Sequence, residues 1–352
     1  MSERHPNILA SLTVWVRRHA AANALLIGVI ALIFVFAYLN SQFLTTGNFR
    51  NILIQSACLA VVAVPMALLL ISGNVDLSVG SVLALGGVVT GLLLNHGMAI
   101  VPAILIGIAA GTAVGVINGI LVTVTTLSPV IVTLGALTAV RGLAETLAPK
   151  PVFNFPEGFV NLGDGEVLGV PYLALVAAAA FLIGAIVMAR FPLGRHVYAI
   201  GVNPEAAFLS GIRVKRIVFL LFVVTGAAAA MAGTMLAARL GSAPSGSLGL
   251  GFELEVLTAV ILGGVAFTGG RGKIFGVLLG VLFLGILQNG LTLQNVPAAT
   301  ALMIKGGTLI VAAWLDWVSV RSEGLATLLR GVGPKPEPEK AAIVIGEGGS
   351  SR

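Results

Sequence analysis

Two stretches of this chain carry side chains able to do chemistry inside an otherwise apolar sequence. The first is Ser72-Gly73-Asn74-Val75-Asp76-Leu77-Ser78-Val79-Gly80. A carboxylate two residues before a hydroxyl can cap a helix, and Asn74 offers a donor and an acceptor side by side. The run is too short and too polar to be lipid-facing backbone. Irregular main chain at membrane depth survives only where it is buried in protein or lines a cavity. Two readings follow: a tight cytoplasmic turn with an N-cap, or a broken-helix element beside a translocation path. Asn74, Asp76 and Ser78 are therefore candidate path residues. Asn118 and Asn289 join them, although an amide such as Asn118 can equally serve as a bond to a neighbouring helix.

The second stretch is Arg190 to Arg216, the only long polar segment within the apolar body. Its middle spells a short helix with both ends marked. Asn203 suits the N-cap, Pro204 the first helical position, and Glu205 places an acid in the first turn. Ala206, Ala207, Phe208 and Leu209 form the body, Ser210 closes it, and Gly211 fits a left-handed residue just past the end. Arg190, Arg195, Arg213, Lys215 and Arg216 surround it. Such an element either touches a cytoplasmic partner or is a solvated connector.

Catalytic chemistry is not legible. Cys58 is the single cysteine and the four histidines lie at no ligand spacing, so neither a disulfide nor a metal centre is expected. Gly269-Gly270-Arg271-Gly272-Lys273-Ile274 falls short of a phosphate-binding loop. Ile274 stands where a magnesium-holding hydroxyl belongs, and the spacing of the first glycine is wrong. There is no Ser-His-Asp set, no HExxH and no row of intramembrane acids for ion coupling. Solute moved uphill would need its free energy from another chain.

The elements that position these residues are membrane spans. Of the 352 residues, 57% are hydrophobic and 10% charged, and there are 45 glycines. This is the composition of an all-α polytopic membrane protein with closely packed helices. The formal charge of +6 is not a nucleic-acid footprint, because the basic residues sit in loops without an accompanying aromatic surface. About ten spans can be placed, near 22–39, 53–72, 77–95, 99–123, 128–148, 171–189, 217–238, 255–268, 274–291 and 299–317. The first, after Arg17 and Arg18, reads as an uncleaved span. With the N-terminus inside, Arg4, Arg17, Arg18, the 190–216 cluster, Arg271, Lys273 and the tail's basic residues are cytoplasmic. Only Arg50, Lys150 and Arg239 lie outside. Both termini and the 203–211 helix are thus expected in the cytoplasm.

Within the spans, Gly107, Gly111, Gly115 and Gly119 recur every four residues and predict one smooth packing face. Arg141 and Glu145 are spaced to pair on one helix face. Lys305 is expected to snorkel outward, and Glu253 and Glu255 to close an outer loop. Residues 1–21 read as a cytoplasmic segment, 22–318 as the transmembrane domain, and 319–352 as a disordered cytoplasmic tail.

The chain resembles the permease subunits of bacterial ABC importers of the ribose, xylose and galactose class. The resemblance covers roughly residues 40 to 318. It rests on Phe49-Arg50-Asn51-Ile52-Leu53, on Gly73 to Gly80, on Leu193-Gly194-Arg195 through Ile212, and on Leu262-Gly263-Gly264 through Gly276. Asn74 departs from the family pattern, which more often has a small apolar pair before the acid. The resemblance implies that 203–211 is a coupling helix seated in a cytoplasmic ABC ATPase. ATP and magnesium would bind that partner, with no cofactor on this chain. It further implies a second permease subunit, homo- or heterodimeric, a periplasmic sugar-binding protein on the outer loops, and a monosaccharide as solute. An autoinducer-like furanose, a polyol or a nucleoside stays open, as does an ion-coupled secondary transporter.

Overall fold

The computed structural model describes residues 25–125 and 127–329, with side chains as far as Trp314. The chain divides into two units, residues 1–316 and 317–352. Everything below concerns the first, except that the last helix runs on into the second.

The first unit is a bundle of helices. In chain order they are α1 (Leu25–Leu39), α2 (Thr46–Ile71), α3 (Val79–Asn95), α4 (Ile100–Val124), α5 (Pro129–Leu147) and α6 (Glu157–Asp164). After a small hairpin, β1 (Glu166–Val167) and β2 (Val170–Pro171), come α7 (Tyr172–Arg190), α8 (Pro192–Val202) and α9 (Pro204–Leu209). Then follow α10 (Val214–Leu240), α11 (Phe252–Leu262), α12 (Ile274–Leu293) and α13 (Ala298–Leu329). Six of them, α2, α4, α5, α7, α10 and α12, are long and apolar enough to cross a membrane. The chain is a polytopic, helical membrane protein.

The element at the centre is α2, buried almost throughout from Ile52 to Ile71. Its entry is fixed by Thr45, whose hydroxyl accepts from the Asn48 amide. Around it pack α7, α10, α11 and α12. On one side α10 crosses α4 and α3 at close range, because glycines remove the side chains that would hold the backbones apart. A methyl on Gly233 would land on the Leu83 carbonyl, and one on Gly115 on the Phe222 carbonyl. The comb on α4 is thus spent against neighbours: Gly107 faces α3, and Gly111, Gly115 and Gly119 face α10. By contrast α5 and α7 expose Ile131, Leu134, Leu182 and Ile183, apolar surface suited to lipid.

Asn48 on α2 and Asn289 on α12 bind each other reciprocally, each amide donating to the other's carbonyl at 2.9 Å. Both are buried. The candidate path residue Asn289 is therefore engaged in joining two helices. Asn48→Leu alone should lower stability by about 1–2 kcal/mol, because the partner amide is left unpaired. Asn48→Leu with Asn289→Leu should recover much of that. A double-mutant cycle in detergent checks it, and additive losses would refute the pairing.

Two expectations about the elements need correction. The span expected at 255–268 is α11, whose 11 residues reach only about 16 Å against a hydrocarbon core of about 30 Å. The glycine-rich stretch 263–273 is not helical, and Gly264, Gly269, Gly270 and Gly272 take positive φ, which glycine alone adopts without strain. The polar segment holds two helices, α8 and α9, because Pro192 starts an additional one. The last helix, α13, runs to Leu329. The expected N-terminal segment and the rest of the tail lie outside the described residues.

Candidate functional site

The strut formed by α8 and α9 has both ends closed. Asn203 Oδ1 accepts from the Glu205 and Ala206 amides at 3.0 and 2.9 Å. At the other end Gly211 has φ +84°. Its amide and that of Ile212 reach back to the Phe208 and Ala207 carbonyls, the paired closure that a left-handed glycine permits. Pro204 fills the first position, where no amide is needed, and Ser210 Oγ donates to the Ala206 carbonyl. Ala207 is buried, whereas Phe208 and Leu209 are 67% and 82% exposed. Val202 is exposed beside them. The outer face of this six-residue helix therefore presents two large apolar side chains with the exposed Glu205 beside them.

The strut's α8 packs on two hairpins that are joined to each other through main chain. The Gly270 amide donates to the Ile71 carbonyl at 2.8 Å, and the Tyr198 hydroxyl donates to the Gly272 carbonyl at 2.6 Å. Burial pushes the Tyr198 phenol above its ordinary value, so it remains a donor across the physiological range. Gly201 sits where a methyl would strike both the Ile71 carbonyl and the Gly270 amide. The end of α2, the 263–273 loop and α8 thus meet backbone to backbone.

Beyond Ile71 the polar turn is a hydrogen-bonded network in which only the buried Asn118 Oδ1 is left without a partner. Asp76 Oδ1 accepts from the Ser78 amide at 2.9 Å and from its hydroxyl at 2.6 Å. Asn118 Nδ2 donates to Ser78 Oγ at 3.0 Å. All three residues are buried. Asn74, half-buried, folds back on Ser72. The expected cap is modified: Ser78 occupies the N-cap position of α3 but makes no side-chain cap bond, because its hydroxyl is committed to Asp76. The structure brings Asp76, Ser78 and Asn118 together. Asn289 lies apart, with Asn48.

The residues that sequence reasoning misplaced lie along 241–254. From Gly241 the chain descends without helix: the Ala243 and Val152 main chains pair, and Ser245 Oγ donates to the Ala148 carbonyl at 2.6 Å. By Gly249 it lies against Gly80, in the first turn of α3. That is about 22 Å along α3 from Asn95 at the far end, at 1.5 Å per residue. The descent ends in α11, so an irregular half-crossing continues into a helical one. Arg141 holds it in place. Its guanidinium donates to the carbonyls of Ser245 at 2.8 Å, Leu248 at 2.7 Å and Gly80 at 3.3 Å. The expected Arg141–Glu145 pair yields to these bonds, because carbonyls that cannot reach water compete more strongly than an exposed carboxylate. Glu253 lies against Gly80, and Glu255 pairs with Lys305 at 3.1 Å. Lys305 therefore does not snorkel outward. Two acids two residues apart after a glycine-rich run were the available signal.

At the far end Asn95 donates to the Phe153 carbonyl. Arg50 binds Glu166 at 2.9 Å and the Asp164 carbonyl, which fixes the hairpin that carries Leu168, 99% exposed.

Residues 48–313 match the family described as branched-chain amino acid transport system / permease component. The chain belongs to that permease family. Among similar proteins are a ribose import permease protein of Bacillus subtilis, 37% identical over 82% of this chain and 91% of the relative, and a D-allose transport system permease protein of Escherichia coli, 37% identical over 80% and 87%. An L-arabinose ABC transporter permease protein of Azospirillum brasilense is 39% identical over 78% and 81%. No solved structure matches. As a permease the chain is a transport subunit. Its strut, glycine junction and broken crossing all fall inside the matched residues.

Proposed function

We propose that this permease is the membrane subunit of an ATP-driven importer that carries a monosaccharide across the bacterial inner membrane. The observation that carries the reading is α9. It is a short helix closed at both ends, with Phe208 and Leu209 exposed on its outer face, and it follows directly on α8, whose Gly201 packs on the turns at Ile71 and Gly270. Arg190, Arg195, Arg213, Lys215 and Arg216 on the same segment assign that end to the cytoplasm. A cytoplasmic ABC ATPase would seat α9 in a groove, with ATP and magnesium on that subunit. Closure of the ATPase pair would move α9, and the backbone junction would pass the displacement to α2 and α11. A periplasmic binding protein would dock at the opposite end, where Arg50 braces the hairpin, and a second permease subunit would complete the path. The ribose, allose and arabinose in the relatives' names favour a sugar over an amino acid.

Leu209→Asp should uncouple the complex, cutting uptake of D-ribose in proteoliposomes at least tenfold without loss of folded permease. A buried charge opposes docking of an apolar face. Uptake of L-leucine and not of D-ribose by the wild type would overturn the sugar assignment. Wild-type coupling in Leu209→Asp would overturn the role of α9.

A further inference from the structure

We propose that the cytoplasmic ends of α7 and α12, bridged by α8, form a binding site for an anionic phospholipid of the inner leaflet. The proposal takes its orientation from the reading above and is independent of the solute.

The span α7 ends at Arg190, and α8 begins directly after Phe191. Gly194 packs on the Met188 main chain, so closely that a methyl there would meet the Met188 carbonyl. About one helical turn later, Tyr198 donates to the carbonyl of Gly272, the residue before Lys273 and the start of α12. The spans α7 and α12 also pack on each other directly. Their lower ends and α8 therefore share one patch, whose cations are Arg190, Arg195 and Lys273, all exposed. Arg195 precedes Tyr198 by one turn, which puts it on the side of α8 that reaches Gly272. No acid pairs with any of the three among the described residues. Glu205, on α9, is the only acid between Arg190 and Arg216.

The apolar half of the site lies above these cations. Ile183, Ile186 and Arg190 stand at i, i+3 and i+7, so they form one stripe down α7. Ile183 is 62% and Ile186 43% exposed, which makes this stripe a lipid-facing one, and Arg190 ends it at headgroup depth. Phe191, next in the chain, is 54% exposed, and Phe275, in the first turn of α12, is 67% exposed. Cations without acids, set directly below exposed apolar side chains, match a ligand of two parts. A phosphate would take the guanidinium and ammonium groups, and acyl chains would lie along the isoleucines and phenylalanines. The excess of positive charge favours a headgroup with net negative charge over a zwitterionic one. A soluble protein fits less well, because it cannot follow the stripe into hydrocarbon. The surface assigned above to the ATPase is a different one, Phe208 and Leu209 on α9.

The test is lipid retention by the intact complex of permease and ATPase. The complex is equilibrated in mild detergent with equal amounts of phosphatidylglycerol and phosphatidylcholine carrying the same acyl chains, and the bound lipid is counted by native mass spectrometry. The wild type should retain phosphatidylglycerol over phosphatidylcholine by at least about fivefold. Arg190→Gln combined with Lys273→Gln should bring the two lipids close to parity. Lys215→Gln, which removes an equally exposed cation at the start of α10, should leave the preference intact. No preference in the wild type would overturn the proposal, and so would a full preference in the double variant. An equal loss in Lys215→Gln would overturn it as well, by showing diffuse charge in place of a site. A preference that emerges only after the ATPase is stripped away would assign the patch to that subunit instead. Retention in detergent is blind to sidedness and to uptake, so failure of the importer reading would leave this result standing.

Discussion

Replacing Arg141 by alanine should destabilise the permease by about 3–5 kcal/mol, because it orphans carbonyls inside the bundle. The Ser245 and Leu248 carbonyls accept from Arg141 at 2.8 and 2.7 Å, and no backbone amide outside the regular helices donates to either among the described residues. Each buried carbonyl left unpaired costs about 1–3 kcal/mol. Loosening the 245–251 descent also releases Leu248 from its place against Gly87 on α3. Arg141→Lys should rescue little. An ammonium is a point charge with a single centre, and it cannot span three carbonyls as a planar guanidinium does. Thermal unfolding of purified protein in a mild detergent reads the effect. A lysine variant as stable as wild type would refute the bracing role, and an alanine variant within about 1 kcal/mol of wild type would do the same.

The second large effect belongs to Gly111. A side chain there meets the Gly226 carbonyl and a Val82 methyl at 2.8 Å, counting only its first carbon, with the Ala230 methyl nearer still. A carbonyl within a helix cannot step aside, so Gly111→Leu must push α4 and α10 apart along their whole crossing. Overpacking of this kind costs about 1–3 kcal/mol in soluble cores. It should exceed that here, since close backbone approach is the main attraction between membrane helices. Folded permease recovered from membranes should fall by more than tenfold. Gly306→Leu supplies the control, since nothing lies within 4 Å of a methyl at Gly306. Equal recovery of the two variants would show that the comb does not set the crossing.

Much of this architecture was legible because membrane insertion imposes simple rules on sequence. Apolar runs give helices, glycine combs give crossings, and Asn203, Pro204 and Gly211 mark the ends of α9 by local backbone chemistry alone. The same rules mislead where a crossing is not a single helix. The 255–268 stretch is apolar enough to read as a span, yet only α11 is helical there, because the chain has already descended in irregular form from Gly241. Hydropathy averages over a window and records no backbone hydrogen bonds, so it cannot distinguish a full helix from half a helix with a braced loop.

The sequence by itself determined the class of protein, the short helix α9 and its closed ends, and the pairing of Asp76 with Ser78, since each depends on neighbours a few residues away. Only the tertiary structure decided what Arg141, Lys305 and Asn289 do. Their partners lie far off in the chain: Ser245 and Leu248 for Arg141, Glu255 for Lys305, and Asn48 for Asn289. A polar side chain packed within the bundle binds whichever unsatisfied group the fold brings within reach, and spacing along the sequence carries no record of that choice.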